Sequence, residues 1–380
     1  MSTSDIIQPI TKAIAIPAVQ RFNGKVVYHY AMDIAYDTKR SPLKTLLGQP
    51  VTSYKPDTGK RAPRDFYFYQ PQTVRMPPVT LSGPNGPMEA QCVIKLFPVG
   101  ALSITLHAPF QQQTLTDLVD YHDVDDAQRH ARELAQKVID ELGDWLIRPV
   151  VPVREDEAYT VFCLDAVSAA EMLQPSTEAW LRDHRRAVAA LLTQEADAHR
   201  LSEQEISETA QRSLSYYAHD LVVIDWDAAL IIDEPTQFDA TLHIMELANV
   251  QLAELESYDR MIDSRLARAY DLSHVRWKSR RVMSDNLREF RLDMARFRDE
   301  LSNTTKFFGD WHLARVYQAL YERFHLASWY NIVKSKIDTL DDLYRIYKQD
   351  QVNKVMVFLE AAIVLLFILD LVLLVVVGAI

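Results

Sequence analysis

Residues 220–234, with the sequence DLVVIDWDAALIIDE, mark the point where the chain changes from strands to helices. The stretch predicts two short strands that meet at Asp225-Trp226-Asp227. Pro235 follows and is the last proline of the chain, so the helices predicted after it meet no proline break. Trp226, between two acids at the predicted hairpin tip, is either a contact for a partner or a lid folded onto its own sheet.

The chain before this stretch has the composition of strands and turns. Thirteen of the 17 prolines precede residue 110. The glycines and prolines of SGPNGPM, residues 82–88, predict a turn between two strands. Segments enriched in β-branched and aromatic residues predict the strands themselves: KVVYHYAMDIAY (25–36), RDFYFYQPQTV (64–74), MEAQCVIKLF (88–97), VGALSITLHAPF (99–110) and, later, EAYTVFCLDAV (157–167).

Helical patterns alternate with strands in the middle of the chain. Residues 127–146 place Leu134, Val138 and Leu142 on one face, which predicts an amphipathic helix. Further helices are predicted at about 176–193 and 202–214, and the second of these opens with a capping-box pattern.

After Asp239 the apolar residues recur at spacings of three, four and seven, which predicts helices that pair as in a coiled coil. Three series carry this pattern: Leu242 to Ala269, Met283 to Leu301, and Leu320 to Tyr347. A polar break at 303–310 predicts an antiparallel turn between the second and third helices. The expected product is a helical hairpin standing on a membrane.

The segment 355–380, VMVFLEAAIVLLFILDLVLLVVVGAI, predicts one transmembrane helix. As a helix it rises about 39 Å, against about 30 Å of hydrocarbon in a bilayer. Basic residues precede it and none follows, which predicts a body on the cytoplasmic side or in an organellar matrix. A buried hairpin or the core of an oligomer is the alternative interpretation of the segment.

Two acids, Glu360 and Asp370, interrupt the apolar segment. A charge inside a membrane is costly unless it finds a partner or water. Glu360 lies near the interfacial end, where it can reach the headgroups or Lys354. Asp370 lies deeper and predicts self-association or a membrane partner; the alternative is a neutral carboxyl group that lipid tolerates.

The fold class that follows is α+β, with a β-rich N-terminal part, a mixed middle, and a long C-terminal helical hairpin ending in one transmembrane helix. The predicted regions are a β-rich region at 1–112, an α+β region at 113–238, a helical stalk at 239–354 and an anchor at 355–380.

Charge and composition exclude several classes of function. The net charge is −11, but residues 101–250 alone carry 10 basic and 28 acidic groups, so an anionic partner is expected to meet the first or last third. Cys92 and Cys163 stand alone in apolar runs, which predicts buried thiols in a reducing compartment and excludes a cysteine zinc site. Nine glycines, none of them in a phosphate-cradling loop, argue against nucleotide cofactors.

Two clusters have metal-ligand chemistry, each with a simpler interpretation. Asp120, His122, Asp123, Asp125 and Asp126 either bind a hard cation or complement the start of a helix. Residues 322–325 have the Glu-x-x-His spacing of di-iron bundles, but one copy is found where two are needed, so an exposed helix face is the alternative. Neither cluster supports a metal, and no catalytic residue or cofactor is predicted.

The basic run of Arg276, Lys278, Arg280 and Arg281 has four positive groups in six residues and no acid. It either binds RNA, a ribosome or anionic lipid, or is a polar connector between helices.

Residues 219–372 resemble the required-for-meiotic-nuclear-division (Rmd1-type) family. The likeness lies in HDLVVIDWDAALIIDE, MELANVQLAELESYDRMIDSRLARAYD, LYERFHLASWYNIVKSKIDTLDDLYRIY and FLEAAIVLLFILDLV. The resemblance implies a membrane-anchored protein with a helical hairpin. The mitochondrial relatives in that family are linked to organellar translation. The resemblance transfers no catalytic residue to this sequence.

The sequence thus predicts a non-enzymatic, tail-anchored membrane scaffold or adaptor that self-associates. The lipid bilayer, a second copy or a membrane partner, and a ribosome or RNA are its expected partners. The alternatives are a membrane-tethered enzyme with its site in the N-terminal α+β body, or a subunit of an oligomeric transport assembly.

Overall fold

The computed structural model of the chain describes residues 20–39, 42–53, 71–150, 156–271 and 311–377. Its strands are β1 (Phe22–Asp33), β2 (Ala35–Thr38), β3 (Thr45–Leu46), β4 (Gln49–Ser53), β5 (Gln72–Arg75), β6 (Val79–Gly83), β7 (Gly86–Leu96), β8 (Ala101–Gln113), β9 (Leu146–Pro149), β10 (Glu157–Asp165), β11 (Ser213–Leu214), β12 (Leu221–Ile224) and β13 (Ala228–Asp233). Its helices are α1 (Leu115–Val119), α2 (Asp125–Leu142), α3 (Thr177–Leu192), α4 (Glu203–Gln211), α5 (Phe238–Asp271), α6 (Trp311–Arg323) and α7 (Leu326–Val377).

One large sheet organises the described residues. Its strand order is β11-β12-β13-β10-β1-β8-β7-β5-β4-β3, with β6 paired to β7, while β2 and β9 form a separate pair. β10 and β13 run parallel, and β1 pairs antiparallel with both β8 and β10. A parallel pair needs a crossover connection, and the segment between β10 and β13 contains α3 and α4.

The sheet is buried on both faces, and β1 shows why. Successive side chains of a strand point to opposite faces. Val26, Tyr28 and Met32 therefore pack into one apolar core, which α2 and α3 cover. Val27 belongs to a second core on the other face, built with α5, α6 and α7. The run of buried residues in β1 is thus the mark of a central strand.

The helix α5 lies across the second face of the sheet. It contacts β1, β8 and β10, and polar as well as apolar residues of its middle are buried. The apolar spacing in this region predicted a stalk of paired helices; α5 packs against α6 and α7, and it also packs on the sheet. Apolar spacing identifies the face of a helix that is buried, but it does not identify the surface that buries it. For α5, part of that surface is the sheet.

Several sequence predictions are confirmed by these elements. The chain is α+β, with a large N-terminal sheet and C-terminal helices. The stretch 220–234 forms the antiparallel β12–β13 hairpin, and 82–88 forms the turn between β6 and β7. Leu134, Val138 and Leu142 are the buried face of α2.

Local capping and cysteine burial also agree with the sequence. Ser202 caps α4 by accepting a hydrogen bond from the backbone N–H of Glu205, and both cysteines are buried and free. Residues 64–70 of one predicted strand, and the turn predicted at 303–310, lie outside the described residues.

In the part of the chain that the structure describes, no helix combines the length and the apolarity needed to cross a membrane. The side chains of α7 are described as far as Asp370. From Val355 to Asp370 a helix rises about 24 Å, which is less than the roughly 30 Å of a hydrocarbon core. The transmembrane helix predicted for 355–380 extends past these residues and stays a prediction.

Candidate functional site

A polar stripe runs across the otherwise apolar sheet face beneath α5. Residues of β7 and β8 alternate between the two faces, and the register pairs Lys95 with Ser103. The β1–β8 register pairs His29 with Thr105. Because cross-strand partners point to the same face, these four polar side chains stand side by side, and all four are buried.

Glu246 of α5 contacts this stripe and is itself buried, with 1% of its surface exposed. Its carboxylate forms an ion pair with Lys95 and accepts hydrogen bonds from the hydroxyls of Ser103, at 2.7 Å, and Thr105, at 3.2 Å. His243, one turn earlier, places Nδ1 3.7 Å from the carboxylate. We call these five residues, together with His29, the α5 ionic cluster.

The protonation states within the cluster follow from burial and charge. Burial alone would raise the pKa of Glu246, but Lys95 and His243 hold it well below its usual value. Burial lowers the pKa of His29 to about 4. Because the Thr105 hydroxyl donates to Glu246, its oxygen accepts from Nδ1 of the neutral His29 ring, 3.0 Å away. The cluster joins α5 to strands β1, β7 and β8, and Nε2 of His29 is buried with no hydrogen-bond partner among the described residues.

The second polar site joins two sequence motifs that are 98 residues apart. Asp225, at the β12–β13 turn, forms a buried ion pair with Arg323 at the end of α6. The Asp225 carboxylate also accepts hydrogen bonds from the Thr209 hydroxyl at 3.2 Å and from the backbone N–H of Trp226 at 2.7 Å. It is the polar centre of the contact between the hairpin and the C-terminal helices.

The two residues after Arg323 continue the same contact. Phe324 packs edge-on against Tyr159, with ring centroids 5.2 Å apart. His325 lies 5.6 Å from Trp226, centroid to centroid, and adopts φ = 50°, a left-handed conformation that separates α6 from α7. We call Asp225, Trp226, Arg323, Phe324 and His325 the α7 junction, because α7 begins at the next residue.

The α7 junction places several residues that the sequence singled out. Trp226 is 43% exposed and leans on His325, so it is neither fully buried nor free of its own fold. Glu322 accepts a hydrogen bond from the Gln318 side chain at 2.9 Å, whereas His325 contacts Trp226. Within the described ranges, no group of three or more metal-ligating side chains is arranged to hold a metal ion.

The other predicted site residues fall in three places. Glu360 and Asp370 are exposed on α7. Asp126, from the acidic cluster before α2, accepts a hydrogen bond from the backbone N–H of Ser82 at 2.7 Å, and His122 is buried beside Leu192. Arg276, Lys278, Arg280 and Arg281 lie outside the described residues.

Lys95 and Glu246 were missed by the sequence reasoning, although a signal existed. Lys95 is a charged residue inside the apolar strand QCVIKLF, and Glu246 lies among apolar residues in LHIMELANV. A buried charge in one element requires an opposite charge from another. Pairing the two would have placed α5 on the sheet.

A third group, against the middle of α5, holds two carboxyl groups whose pKa values are raised. Burial, together with a hydrogen bond to Glu256, raises the pKa of Glu157 to about 9. Burial raises the pKa of Asp33 to about 7, although Ser257 and Arg260 oppose the change. Glu157 on β10, which hydrogen-bonds to Glu256 on α5, therefore keeps its proton at neutral pH.

We expect this carboxyl pair to make stability depend on pH. Glu157 binds a proton in the folded state up to about pH 9, whereas in the unfolded chain it loses that proton near pH 4.3. Its contribution to stability is therefore fully present below about pH 4.3 and is lost as the pH rises toward 9. Glu157→Gln, which mimics the protonated acid, should raise the free energy of unfolding at pH 8 by about 1–2 kcal/mol.

The measurement is chemical denaturation of the parent and variant at pH 5 and pH 8. Glu171, an exposed acid, provides the matched control, and Glu171→Gln should leave the difference between the two pH values unchanged. Equal effects of Glu157→Gln at pH 5 and pH 8 would show that the pair does not hold its proton.

Comparisons with known proteins identify part of the chain. The family model described as "Uncharacterized protein MJ0711, N-terminal domain" matches residues 23–239. The uncharacterized protein MJ0711 of Methanocaldococcus jannaschii is 23% identical over 222 residues, which are 57% of this chain and 65% of the relative. The chain thus spans about 65% of the length of that relative. No solved structure matches the chain.

Proposed function

The chain belongs to the family of the MJ0711 N-terminal domain, and we propose that it is a non-enzymatic, membrane-anchored scaffold. In this proposal the α+β body is held at a fixed distance from a bilayer by α7. The body is the part that meets partners, and the apolar half of α7 is the part that meets lipid.

The observation that carries the proposal is the continuity of α7. Its first half belongs to the core of the body, where Val333, Ile337 and Leu340 are buried. Lys336 also bridges to Asp259 and Asp263 of α5, at 2.6 and 2.8 Å. The helix then continues without a break to Val377, so the body and the apolar segment are joined by one rigid element.

The second half of α7 exposes apolar side chains on every side. Twelve large ones between Val355 and Leu369 have 52–72% of their surface exposed. Burying such a side chain contributes about 1.5–3 kcal/mol, so moving twelve from water into lipid is favourable by on the order of 20 kcal/mol. Successive residues advance by 100° around a helix, so 355–359 already cover the whole circumference. A single protein surface covers one face of a helix, whereas lipid covers all of it.

The proposal includes a spacing and an orientation. Leu340, a buried residue of the body, precedes Val355 by 15 residues, which is about 22 Å of helix. The basic residues of this stretch and its flanks, including Arg345, Lys348 and Lys354, favour a body on the cytoplasmic or matrix side. Asp370, inside the apolar segment, favours self-association through polar contacts between copies.

Two finer predictions from the sequence belong to the same proposal. We propose that the basic run 276–281 is a contact for RNA or a ribosome. We also propose that 219–372 belongs with the Rmd1-type proteins; the matched family model overlaps that segment between 219 and 239.

Flotation with liposomes tests the anchor. The full chain, reconstituted into phosphatidylcholine vesicles, should float with them through a density gradient after a carbonate wash. Leu365→Arg/Leu366→Arg places two charges in the apolar segment, each of which costs about 2.5–3.5 kcal/mol in the centre of a membrane helix. We expect most of this variant to remain at the bottom of the gradient.

Val167→Arg provides the matched control, because Val167 is 65% exposed but lies far along the chain from α7. It should float like the parent. Flotation of the Leu365→Arg/Leu366→Arg variant with the vesicles would contradict the proposal, and so would a parent chain that stays at the bottom. Protease protection of a tag placed after Ile380 separates a spanning helix from one lying in the interface.

A further inference from the structure

A pocket of about 690 Å³ opens between α3, α4, β11 and α6. Its volume falls in the range of about 300–1,000 Å³ that small-molecule sites occupy. Three arginines line it, Arg182 and Arg185 from α3 and Arg315 from α6. They come from segments more than 100 residues apart, so the fold gathers them.

The charge of the pocket is opposite to that of its surroundings. Residues 101–250 carry 28 acids against 10 basic groups, yet Glu178 is the one acid among the lining residues of this pocket. The Glu178 carboxylate accepts a hydrogen bond from the Ser215 hydroxyl at 2.8 Å. Three guanidinium groups and one carboxylate leave a net charge of +2 at this wall.

Two of the three arginines have no competing carboxylate among the described residues. Within the described ranges, the structure gives Arg182 and Arg315 no carboxylate partner. Arg185 shares Glu203 with Arg186, through exposed groups. The three guanidinium groups gather positive charge along one wall of the pocket, which a bound anion would neutralise.

We propose that this pocket binds a soluble, multiply charged phosphate compound. The guanidinium group presents a planar fork of N–H donors that matches phosphate oxygens. Ser207, Gln211 and Ser213 add neutral donors along the same wall. The volume exceeds what a single phosphate fills, so the ligand carries several phosphates or a phosphate with an organic group. In this proposal Arg182 and Arg185 place an anion in the middle third of the chain, whereas the charge distribution alone predicts the first or last third.

The position of the pocket favours a soluble phosphate over a lipid headgroup; this step rests on the proposed anchor. From Leu326 to Val355, α7 rises about 44 Å. Arg315 precedes the end of α6 by eight residues, which could bring it back toward the membrane by at most about 12 Å. That leaves roughly 30 Å, or about four Debye lengths, between Arg315 and a bilayer around the apolar segment.

Titration calorimetry with sodium tripolyphosphate tests the site on the full chain in a neutral detergent. The parent should bind, and added NaCl should weaken the binding. Arg182→Gln and Arg315→Gln should each weaken it about tenfold, the value of one charge-assisted hydrogen bond. Arg75→Gln removes the same charge from an exposed site on β5 and should leave the affinity within about twofold of the parent.

Three outcomes would overturn the proposal. The first is a parent that binds no tripolyphosphate at 1 mM, a concentration at which a Kd of about 1 mM, or −4.1 kcal/mol, gives half saturation. The second is equal affinity of the parent, Arg182→Gln and Arg315→Gln, with unchanged thermal unfolding midpoints. The third comes from vesicles that carry the chain, mixed with vesicles that contain phosphatidylinositol 4,5-bisphosphate. Clustering that Arg182→Gln abolishes would assign the pocket to a lipid headgroup.

The calorimetry does not depend on the anchor, because it is carried out in detergent. A chain that fails to float but binds tripolyphosphate through Arg182 would overturn the membrane proposal and keep this one. A chain that floats but does not bind tripolyphosphate would keep the membrane proposal and overturn this one.

Discussion

Replacing Glu246 with alanine is expected to lower the free energy of unfolding by about 3–5 kcal/mol, the usual cost of breaking a buried ion pair. The variant leaves the Lys95 ammonium group buried, with 10% of the side chain exposed and its carboxylate partner removed. The hydroxyls of Ser103 and Thr105 lose their acceptor as well. Urea denaturation of the full chain in detergent, followed by circular dichroism, measures the change.

A double variant separates the charge from the packing. Lys95→Met/Glu246→Leu replaces both charged groups by apolar ones of similar size, which is often neutral or stabilising in a buried site. We therefore expect it to recover most of the stability that Glu246→Ala loses. Arg345→Gln, which removes an exposed ion pair with Asp341, should cost less than about 1 kcal/mol. A Glu246→Ala variant as stable as Arg345→Gln would show that the α5 ionic cluster does not hold α5 in place.

The second large effect is expected at the α7 junction, where Asp225→Asn should destabilise the chain by about 2–4 kcal/mol. The asparagine amide cannot neutralise Arg323, whose side chain is 17% exposed. Because α7 begins three residues after Arg323, the loss should also loosen the start of α7. Hydrogen exchange of the backbone amides of Val333 and its neighbours reports this loosening separately from global unfolding.

A double-mutant cycle with Arg323→Gln gives the energy of the pair itself. Residues in direct contact show coupling energies of about 0.5–3 kcal/mol, and we expect the upper part of that range here. Asp227→Asn serves as the matched control, since Asp227 is an acid two positions further that is exposed. A coupling energy near zero, or equal effects of Asp225→Asn and Asp227→Asn, would show that the Asp225–Arg323 pair does not hold α7 in place.

The parts of the candidate site that depend on neighbouring residues could be predicted from the sequence. The parts that depend on contacts between distant segments could not. The stretch 220–234 marks its own hairpin, and Asp225-Trp226-Asp227 marks the tip, because alternation and turn-forming residues act within a few positions. Glu322-Arg323-Phe324-His325 has the Glu-x-x-His spacing of a metal-ligand motif. In the structure its neighbours Arg323 and Phe324, and His325 itself, contact the hairpin, and no local pattern connects two segments 98 residues apart.

The long helix α5 shows the same division. Its apolar spacing predicts a helix with one buried face but leaves the partner of that face undefined. The information that α5 lies on the sheet was carried by Glu246 and Lys95, each of which is anomalous in its own apolar segment. Only the requirement that buried charges be paired joins them.

Local sequence patterns predict the α+β class, the β12–β13 hairpin, the amphipathic α2, the cap of α4 and the burial of both cysteines. These depend on periodicity, turn chemistry and hydrophobicity, which act between neighbours along the chain. The tertiary structure decided what covers the sheet, which charges meet beneath α5, and that three arginines share a pocket between α3 and α6. Those depend on contacts across 100 or more residues, where the path of the chain, and not the local pattern, sets which groups come together.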